Sequence, residues 1–557
     1  MPILLNRGPW LSVLLIVLVG CSPSPILAQV DTYDSGGPLM AEQAAYDVSF
    51  YEMTLAVHQA DSTISGKVRT IASVHDPLPF FVLDLDQILA VGAIYGGTDP
   101  EATLSFERKG GKIWIKMPFT RQPGETVDVT VEYSGKPRIA PNPPWSGGFT
   151  WTTTESGAPW IATTCQQEGA DIWWPVKEHV SDEPDSMKLH ITVPDPLIVA
   201  TNGRMRDVTN HSNGTSTYHW DISNPINTYN VALNIAPYRV IEDTFDSVAG
   251  DSFPVQFFVL PEDYENGQNL FPEILNQLRY FESVLGPYPF RSDKYGAVQT
   301  PHLGMEHQTI IAYGANFSNR SMTRGSDWGF DALLQHESSH EWWGNLVTNV
   351  GWNDMWLHEG FGSYMQPLYE EYLYGPERYH DYMNSQRKGI TNRLAVAPRK
   401  NLSSKEIYNG DIYSKGSWVL HSMRYLLGDD VFFKVLRRMA YPDPGKEKVT
   451  DGSQTRFAVT DDFLDLAQEI SGEELNWFFE VYLRQPELPA VHVSRDGPTV
   501  SLTWSTPENL PFPMPLDVSV DGEIRRIDMS DGSATFQASE NARVTVDPDN
   551  RVLRAGN

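Results

Sequence analysis

The spacing of apolar residues predicts strands in the first part of the chain. Apolar and polar residues alternate from Tyr46, and later stretches repeat the pattern before residue 237. The apolar members include Tyr46, Val48, Phe50, Met53, Leu55, Val57, Ile113, Ile115, Met117, Val127, Val129, Val131 and Tyr133. A period of two is typical of strands with one buried face, and glycine and proline turns separate the stretches. We therefore expect a β-rich domain over residues 45–237.

After Tyr238 the spacing changes to that of amphipathic helices. One apolar stripe begins after Pro272 and stops at Gly286, and these two residue types favour the start and the end of a helix. Its members are Ile274, Leu275, Leu278, Phe281 and Leu285. Short alternating stretches return near the C-terminus. The predicted fold class is therefore α+β with several domains, in which a mostly helical domain (238–485) precedes a small β-sandwich-like domain (486–557).

The N-terminus has the composition of an export signal. Arg7 precedes an apolar run over residues 11–19, which is too short to be a good membrane span and is typical of a secretory signal. The run leads to Leu18-Val19-Gly20-Cys21, which resembles the bacterial lipobox, whose cysteine is lipidated. We predict a lipoprotein signal peptide over residues 1–20. A plain signal that is cut after Ala28 is the alternative.

This leader predicts where the protein resides. A lipid on Cys21 would hold the protein on a membrane surface. Residues 21–44 are rich in Ser, Pro, Gly and Asp and are predicted to form a flexible tether. We expect export from the cytoplasm and lipid anchoring in the bacterial cell envelope, on the periplasmic or the outer-membrane face.

The charge balance and the cysteine count exclude several classes of partner and site. The 557 residues include 42 Lys+Arg and 71 Asp+Glu, which gives a net charge of -29. This acidity argues against nucleic acid or an anionic membrane as the main partner, so we expect membrane contact only through the anchor. Cys21 and Cys165 are too few for a disulfide framework or a cysteine-ligated zinc site. Cys165 is expected to be a buried, inert thiol.

The stretch His336-Glu337-Ser338-Ser339-His340 carries the strongest chemical signal. Histidines four residues apart lie on the same face of a helix, where both can bind one zinc ion. A catalytic zinc usually has a third protein ligand, and Glu359 is the candidate. A surface helix with two exposed histidines is the alternative, but the flanking residues are largely apolar. Buried polar groups need partners, which favours the metal site.

Several motifs together resemble those of one enzyme family. They are His336-Glu337-x-x-His340, Gly344-Asn345, Trp356-Leu357-His358-Glu359-Gly360-Phe361 and Tyr413-x-Lys415-Gly416. This set is similar to the zinc peptidase family of aminopeptidase N, the gluzincin aminopeptidases, to which leukotriene-hydrolase-like enzymes also belong. The nineteen-residue step from His340 to Glu359 matches the spacing in that family. The resemblance covers about residues 45–485.

The resemblance implies a fold as well as a chemistry. It implies an N-terminal β domain shaped like a saddle and a thermolysin-like, mostly helical catalytic domain that holds one Zn²⁺ per chain. Many larger members of the family continue with a long helical domain over the site. This chain ends first, so we expect a more open cleft.

The resemblance also implies roles for individual residues at the metal. His336, His340 and Glu359 would bind the zinc ion. Glu337 would act as the general base that takes a proton from a zinc-bound water, which is the nucleophile. Tyr413 would stabilise the oxyanion, for which Tyr408 is a competitor five residues earlier.

A second group of residues would bind the substrate. The stretch Leu303-Gly304-Met305-Glu306-His307 is similar to the Gly-x-Met-Glu-Asn motif of the family. The resemblance implies that Gly304 and Met305 line the substrate site and that Glu306 binds the free α-amine of a peptide. Gln166 falls where the family has a second amine-binding residue, and Glu168 is the alternative for that role.

The same motif departs from the family pattern at two positions. Leu303 stands where the family has glycine, and His307 stands where it has asparagine. Leu303 is expected to reshape the entry to the first pocket, since glycine would let a substrate backbone approach closely. His307 could form a hydrogen bond to the substrate or to Glu306. Both departures concern substrate preference more than the chemistry.

Four functions compete at this stage. The leading one is a zinc aminopeptidase that acts on peptides with a free N-terminus. An endopeptidase is disfavoured by Glu306, which would occupy the position that an internal peptide segment needs. A hydrolase of another class, such as one that opens a lipid epoxide, has no specific support. An inert peptide-binding scaffold is disfavoured because the base Glu337 and three candidate ligands are all retained.

Overall fold

The computed structural model describes residues 33–556. The predicted signal peptide (1–20), the predicted lipidation site Cys21 and the first part of the predicted tether lie outside these residues, so export and lipid anchoring stay predictions. Across residues 33–556, no helix combines the length and the apolar character that crossing a bilayer requires.

The N-terminal part is built from strands. They are β1 (Tyr46–His58), β2 (Thr63–Val74), β3 (Leu78–Asp84), β4 (Ala90–Gly96), β5 (Phe106–Lys109), β6 (Lys112–Arg121), β7 (Thr126–Gly135), β8 (Gly148–Thr153), β9 (Pro159–Thr164), β10 (Ser186–Pro194), β11 (Ile198–Ala200), β12 (Arg204–Asn210), β13 (Thr215–Ile222) and β14 (Asn234–Ala236). Seven of them form one sheet in the order β12-β13-β10-β1-β2-β7-β4. Two smaller sheets have the orders β11-β14-β9-β8 and β3-β6-β5.

Strand β1 illustrates how the sequence pattern forms this sheet. Tyr46 and Val48 are buried as the alternation predicts, but Phe50 is only half-buried and Tyr51 is buried instead. The cause is a register shift against β2 between Val48 and Phe50. Such a bulge adds one residue to a strand and moves the later side chains to the opposite face. After it, Met53 continues the buried face.

The middle of the chain combines a sheet with helices. Its strands are β15 (Arg239–Asp246), β16 (Ser252–Val259), β17 (Tyr295–Gln299), β18 (Gly304–Met305), β19 (Ile311–Tyr313), β20 (Val347–Asn349) and β21 (Arg456–Ala458). One short helix, α1 (Ala41–Ala44), lies before β1. The helices of the middle part are α2 (Tyr264–Leu285), α3 (Ala332–Ser339), α4 (Trp356–Tyr374), α5 (Pro376–Arg387), α6 (Ser404–Ile407), α7 (Gly410–Leu427), α8 (Asp429–Ala440), α9 (Thr460–Ser471) and α10 (Asn476–Tyr482). The five-stranded sheet has the order β15-β16-β17-β19-β18.

Helices α4 and α7 make an unusually close contact. A Cβ atom on Gly360 would lie 3.0 Å from the Cα of Gly416, and one on Gly416 would lie 2.9 Å from the Cα of Gly360. Glycine is therefore required at both positions, because any side chain would force the two backbones apart. The contact brings the start of α4 next to the first turns of α7.

The C-terminal part returns to strands. They are β22 (Ala490–Asp496), β23 (Thr499–Ser505), β24 (Leu516–Val520), β25 (Glu523–Ile527), β26 (Ser533–Gln537) and β27 (Val544–Val546). They form two three-stranded sheets, β22-β23-β26 and β25-β24-β27. Their buried residues, such as Leu502 and Val518, belong to the same hydrophobic cluster as the helices. Lys415 of α7 also donates hydrogen bonds to the carbonyl oxygens of Gln485 and Pro486, at 3.0 and 2.8 Å.

This architecture confirms the predicted α+β class, with a β-rich first part, a largely helical middle and a C-terminal β part. The domain boundaries stay predictions. Cys165 is buried, and burial raises the pKa of its thiol well above the ordinary value, as is expected of an inert thiol. Trp342 and Trp343 are buried in the core.

The segment before β1 differs from the prediction. Residues 33–44 are packed against the folded body, so the tether does not extend to residue 44. Gln43 of α1 is 2% exposed and donates to Asp84, and Ser35 is buried as well. The composition showed that the segment is polar, but it could not show that the polar groups have partners in distant parts of the chain.

Candidate metal centre and substrate pocket

Three buried side chains converge where α3 meets the start of α4. His336 lies on α3, His340 follows its last residue and Glu359 lies in the first turn of α4. The Nε2 atoms of the two histidines are 3.2 Å apart. Oε2 of Glu359 is 3.4 Å from Nε2 of His336 and 3.5 Å from Nε2 of His340. Among residues 33–556, these three form the group that could hold a metal ion.

The donor set fits zinc. Zinc bonds of about 2.0–2.2 Å at tetrahedral angles separate the donor atoms by about 3.3–3.6 Å, which is close to the observed triangle. Oε2 of Glu359 has no hydrogen-bond partner among the described residues, although it is buried. Nδ1 of His340 lies 2.7 Å from the carbonyl oxygen of Trp343, which turns Nε2 towards the other two donors.

Buried amides hold the two ligand-bearing helices together. Asp331 caps the start of α3 by accepting from the amide of Leu334, at 3.0 Å. Gln335 of α3 donates to the carbonyl oxygen of Met365 at 3.0 Å, and Gln366 of α4 donates to that of Ala332 at 2.9 Å. These reciprocal bonds fix the distance between α3 and α4, and with it the spacing of the donors.

Gly362 is a site residue that the sequence analysis missed. It lies one turn after Glu359 on α4, and a Cβ atom there would lie 3.3 Å from the Cε1 atoms of both His336 and His340. A larger residue would press on both imidazole rings. Its position three residues after the candidate ligand was the available signal, because that spacing places it on the same helix face.

Glu337 faces the same cavity as the donors. A Cβ atom on Gly304 would lie 2.4 Å from Oε1 of Glu337, so the carboxylate lies against the backbone of Gly304. Burial raises the pKa of Glu337 well above its ordinary value, and the negative charges of Glu306 and Glu359 add to this, whereas His340 opposes it. A buried carboxyl with a raised pKa is suited to taking and returning a proton.

Glu306 is held by a network of polar side chains. Its Oε1 accepts from the amide of Gln166 and, at 3.0 Å, from the hydroxyl of Tyr229. Tyr229 was not anticipated, because 77 residues separate it from Glu306. Asn345, of the Gly344-Asn345 motif, donates to the carbonyl oxygen of Glu306 at 3.1 Å. Glu168 lies elsewhere, with Arg138 and Ser146, so Gln166 and not Glu168 contacts Glu306.

Two tyrosines reach the metal site. The hydroxyl of Tyr408 donates to Oε1 of Glu359 at 2.9 Å and lies in hydrogen-bonding contact with the hydroxyl of Tyr413. The ring of Tyr413 stacks near that of His336, with centroids 6.0 Å apart. Burial and the charge of Glu359 raise the pKa of Tyr413, so its phenol stays protonated and can donate.

All nine predicted site residues line one cavity of about 100 Å³. The lining residues are Pro144, Trp145, Gln166, Leu303, Gly304, Met305, Glu306, Met322, His336, Glu337, His340, Glu359, Tyr408 and Tyr413. Trp145 is 52% exposed and Met322 is 42% exposed, so both lie at the rim. Leu303 lines the cavity, whereas His307 is buried with no hydrogen-bond partner for either ring nitrogen among the described residues. The chemical roles of the nine residues stay predictions.

The sequence of the catalytic region matches a known protein family. Residues 276–482 match the family described as the peptidase family M1 domain. This segment is a peptidase family M1 domain. The domain spans α3, α4 and α7, and therefore contains the three metal-binding candidates. The M1 domain and the fit of the three donors together confirm the predictions of family and of a zinc cofactor.

Relatives of known sequence share parts of the chain. Endoplasmic reticulum aminopeptidase 1 of Mus musculus is 23% identical over 324 residues, which are 53% of this chain and 34% of that protein. Leukotriene A-4 hydrolase of Xenopus laevis is 25% identical over 424 residues, which are 71% of this chain and 64% of that protein. The chain thus matches less than two thirds of the length of either relative.

Solved structures share the fold over most of the chain. An M1 zinc metallopeptidase mutant from Deinococcus radiodurans, bound to a Tyr-Ser-Ala substrate, superposes with a TM-score of 0.65 at 22% identity. The match covers 82% of this chain and 98% of that one. A two-domain M1 zinc metallopeptidase mutant bound to L-tryptophan gives the same TM-score and coverage. At this level of identity the likeness shows the fold.

Proposed function

We propose that this protein is a zinc-dependent aminopeptidase that removes N-terminal residues from peptides. One observation carries the proposal: the buried carboxylate of Glu306 lies in the same small cavity as the three metal-binding candidates. A peptide whose ammonium group meets Glu306 can place its first peptide bond at the metal. A longer chain on the N-terminal side of that bond would collide with the carboxylate and with Gln166.

The reaction is the hydrolysis of the first peptide bond by water. When bound, zinc supplies a Lewis acid that polarises the peptide carbonyl and makes water a better nucleophile. Glu337 takes a proton from the attacking water at its carboxylate and passes it to the nitrogen of the leaving amine as the C–N bond breaks. The products are a free amino acid and a peptide that is one residue shorter.

The two tyrosines have different tasks in this proposal. Tyr408 donates to Glu359, so its hydroxyl orients a metal ligand. The hydroxyl of Tyr413 donates a hydrogen bond to the substrate's carbonyl oxygen as negative charge develops on that oxygen. The hydroxyl contact between the two rings keeps the Tyr413 phenol close to the metal.

The names of the relatives support a peptide substrate. The mouse relative is an aminopeptidase, and the metallopeptidase from Deinococcus radiodurans was solved with a Tyr-Ser-Ala substrate. The Xenopus relative is a leukotriene A-4 hydrolase, but no feature of this cavity specifically favours an epoxide. The buried carboxylate at the amine end favours the exopeptidase over an endopeptidase.

Matched substrates with free and acetylated N-termini test the proposal directly. Aminoacyl-naphthylamides should be hydrolysed, and their N-acetylated counterparts should not. In the Glu306→Ala variant, KM for the free-amine substrates should rise about 30-fold or more, because a charge-assisted contact to the ammonium group is lost. Glu101→Ala is a matched control, since Glu101 lies on the exposed surface. Internal cleavage of acetylated peptides by the wild-type protein would contradict an aminopeptidase.

The Tyr413→Phe and Tyr408→Phe variants separate the two hydroxyl groups. Removing a donor to the oxyanion typically lowers kcat by about 100- to 1,000-fold, which we expect for Tyr413→Phe with little change in KM. Tyr408→Phe should cost about tenfold and should weaken zinc binding, because it leaves Oε1 of Glu359 without that donor. Steady-state kinetics and zinc titration of both variants measure these effects. The reverse order of kcat losses would assign the oxyanion contact to Tyr408.

A further inference from the structure

A short segment near the N-terminus joins two parts of the chain that lie far apart in sequence. We call Asp34–Gly37 the N-terminal clasp. The amide of Ser35 donates to the carbonyl oxygen of Gln167 at 3.0 Å, and its carbonyl oxygen accepts from the amide of Ser404 at 2.9 Å. Gly36 also forms an isolated bridge with Ser403. The clasp therefore connects the segment after β9 with the start of α6.

The side chain of Asp34 strengthens the same connection. Its Oδ1 accepts from the amide of Lys405 at 3.1 Å and lies 2.9 Å from the hydroxyl of Ser404. That hydroxyl is also 2.6 Å from the carbonyl oxygen of Gln167. Asp34, Ser404 and Gln167 thus form one polar junction.

The rest of the clasp is fitted to its surroundings. Ser35 is buried, and its hydroxyl lies 3.1 Å from Oε1 of Glu178 and 3.3 Å from Nε1 of Trp352. Gly36 has a φ of 86°, and a Cβ atom there would lie 2.1 Å from the Trp352 ring. Only glycine fits this position, because both the backbone conformation and the space exclude a side chain. Gly37 accepts from Asn401 through its carbonyl oxygen, at 3.2 Å.

Both joined segments carry residues of the substrate pocket. Gln166 directly precedes Gln167, and its amide donates to Glu306. Tyr408 follows α6, with its amide bonded to the carbonyl oxygen of Ser404 at 2.9 Å. The hydroxyl of Tyr408 meets Oε1 of Gln166 at 3.3 Å. The clasp therefore contacts Gln167, which is next to Gln166, and Ser404, which lies about one helical turn before Tyr408.

We propose that the N-terminal clasp positions the amine-binding side of the pocket, with Asp34 as the positioning residue that holds the Gln166 and Tyr408 segments together. This inference rests on the proposed aminopeptidase function. Asp34 lies outside the cavity and contacts no residue that binds the metal, so its effect passes through Gln167 and Ser404. Loosening the junction lets Gln166 drift from Glu306, and the site then binds an ammonium group less well.

Paired ligands measure this effect without turnover. L-Leucine hydroxamate carries the amine and a metal-binding group, and 4-methylpentanoyl hydroxamate carries only the latter. The wild-type protein should bind the first more tightly, and Asp34→Ala should reduce that preference about tenfold while the affinity for the amine-free compound stays within about twofold. Asp34→Asn retains an oxygen acceptor and should restore the preference. Asp99→Ala is a control, because the carboxylate of Asp99 accepts from the amide of Glu101 in a local turn, at 3.0 Å, and Asp99 does not line the pocket. A loss of stability alone would weaken both ligands equally.

Hydrogen–deuterium exchange on the same full-length proteins tests the contact itself. Asp34→Ala should raise exchange in peptides that cover residues 165–168 and 403–408, and Asp34→Asn should not. Unchanged exchange in these peptides would overturn the proposal, and so would raised exchange with an unchanged amine preference. If the wild-type protein hydrolyses no peptide, the proposed function fails, but the binding and exchange data still decide on the clasp.

Discussion

Replacing Glu337 with Gln should lower kcat by about 100- to 10,000-fold and leave KM nearly unchanged, which is the range for losing a positioned general base. Gln has the same size as Glu, so it fits against Gly304 as the carboxylate does. An amide does not accept a proton from water near neutral pH, so proton transfer is lost while binding is retained. The loss in kcat with constant KM is the signature of an interaction that acts in the transition state.

Steady-state kinetics on an aminoacyl-naphthylamide and a zinc determination on the same sample measure this effect. Glu337→Gln should retain a full equivalent of zinc, because Glu337 is not one of the three donors. Glu474→Gln is the matched control, since the carboxylate of Glu474 accepts hydrogen bonds from the nearby Asn476 and Glu474 does not line the substrate pocket. Near wild-type kcat in Glu337→Gln would remove Glu337 from the role of base.

Removing one metal donor should have the second large effect. His340→Ala should lower the amount of zinc that the protein retains. It should also lower the catalytic activity about 1,000-fold or more, since a Lewis acid contributes several kcal/mol to this type of reaction. It should also lower Tm, because a metal that binds only the folded state stabilises it, by about 2.7 kcal/mol at 100 times its Kd. A chelator should produce the same loss in the wild-type protein, and added zinc should reverse it.

The comparison with another histidine makes the test specific. His190 is paired with His219 through their Nδ1 atoms, 2.8 Å apart, on the sheet of the N-terminal part. His190→Ala should keep the zinc content and the activity of the wild-type protein. An His340→Ala protein that still binds one zinc ion and hydrolyses peptides would refute the three-donor site.

The sequence predicted the metal site better than the substrate site. His336 and His340 are four residues apart, so helix geometry alone brings them together, and Glu359 follows at a short distance. Gln166 and Glu306 are 140 residues apart, and only the resemblance to a family linked them. Tyr229 has no motif around it, so its bond to Glu306 could be found only in the folded chain.

The fold shows a similar division between local and distant information. Alternating residues predicted the strands of the N-terminal part, and the three-residue step from Phe50 to Met53 interrupts the alternation near the bulge. The pattern could not show that Tyr51 replaces Phe50 on the buried face, because that depends on the pairing of β1 with β2. The composition of the polar segment that includes the clasp predicts a tether, because composition indicates solubility but does not show which groups form tertiary contacts. Its partners, Gln167 and Ser404, are more than 100 residues away. Local patterns cannot specify such contacts.

The contact of Gly360 with Gly416 limits how this pocket can move. Glu359 precedes the first glycine and Tyr413 lies one turn before the second, so the metal ligand and the phenol sit on two backbones that touch without intervening side chains. A motion that separated α4 from α7 would have to open a gap between Gly360 and Gly416. The cavity meets solvent at a different place, where the exposed side chains of Trp145 and Met322 form its rim. Under the proposed function, we expect a peptide to enter at this rim, while the junction between α4 and α7 stays closed.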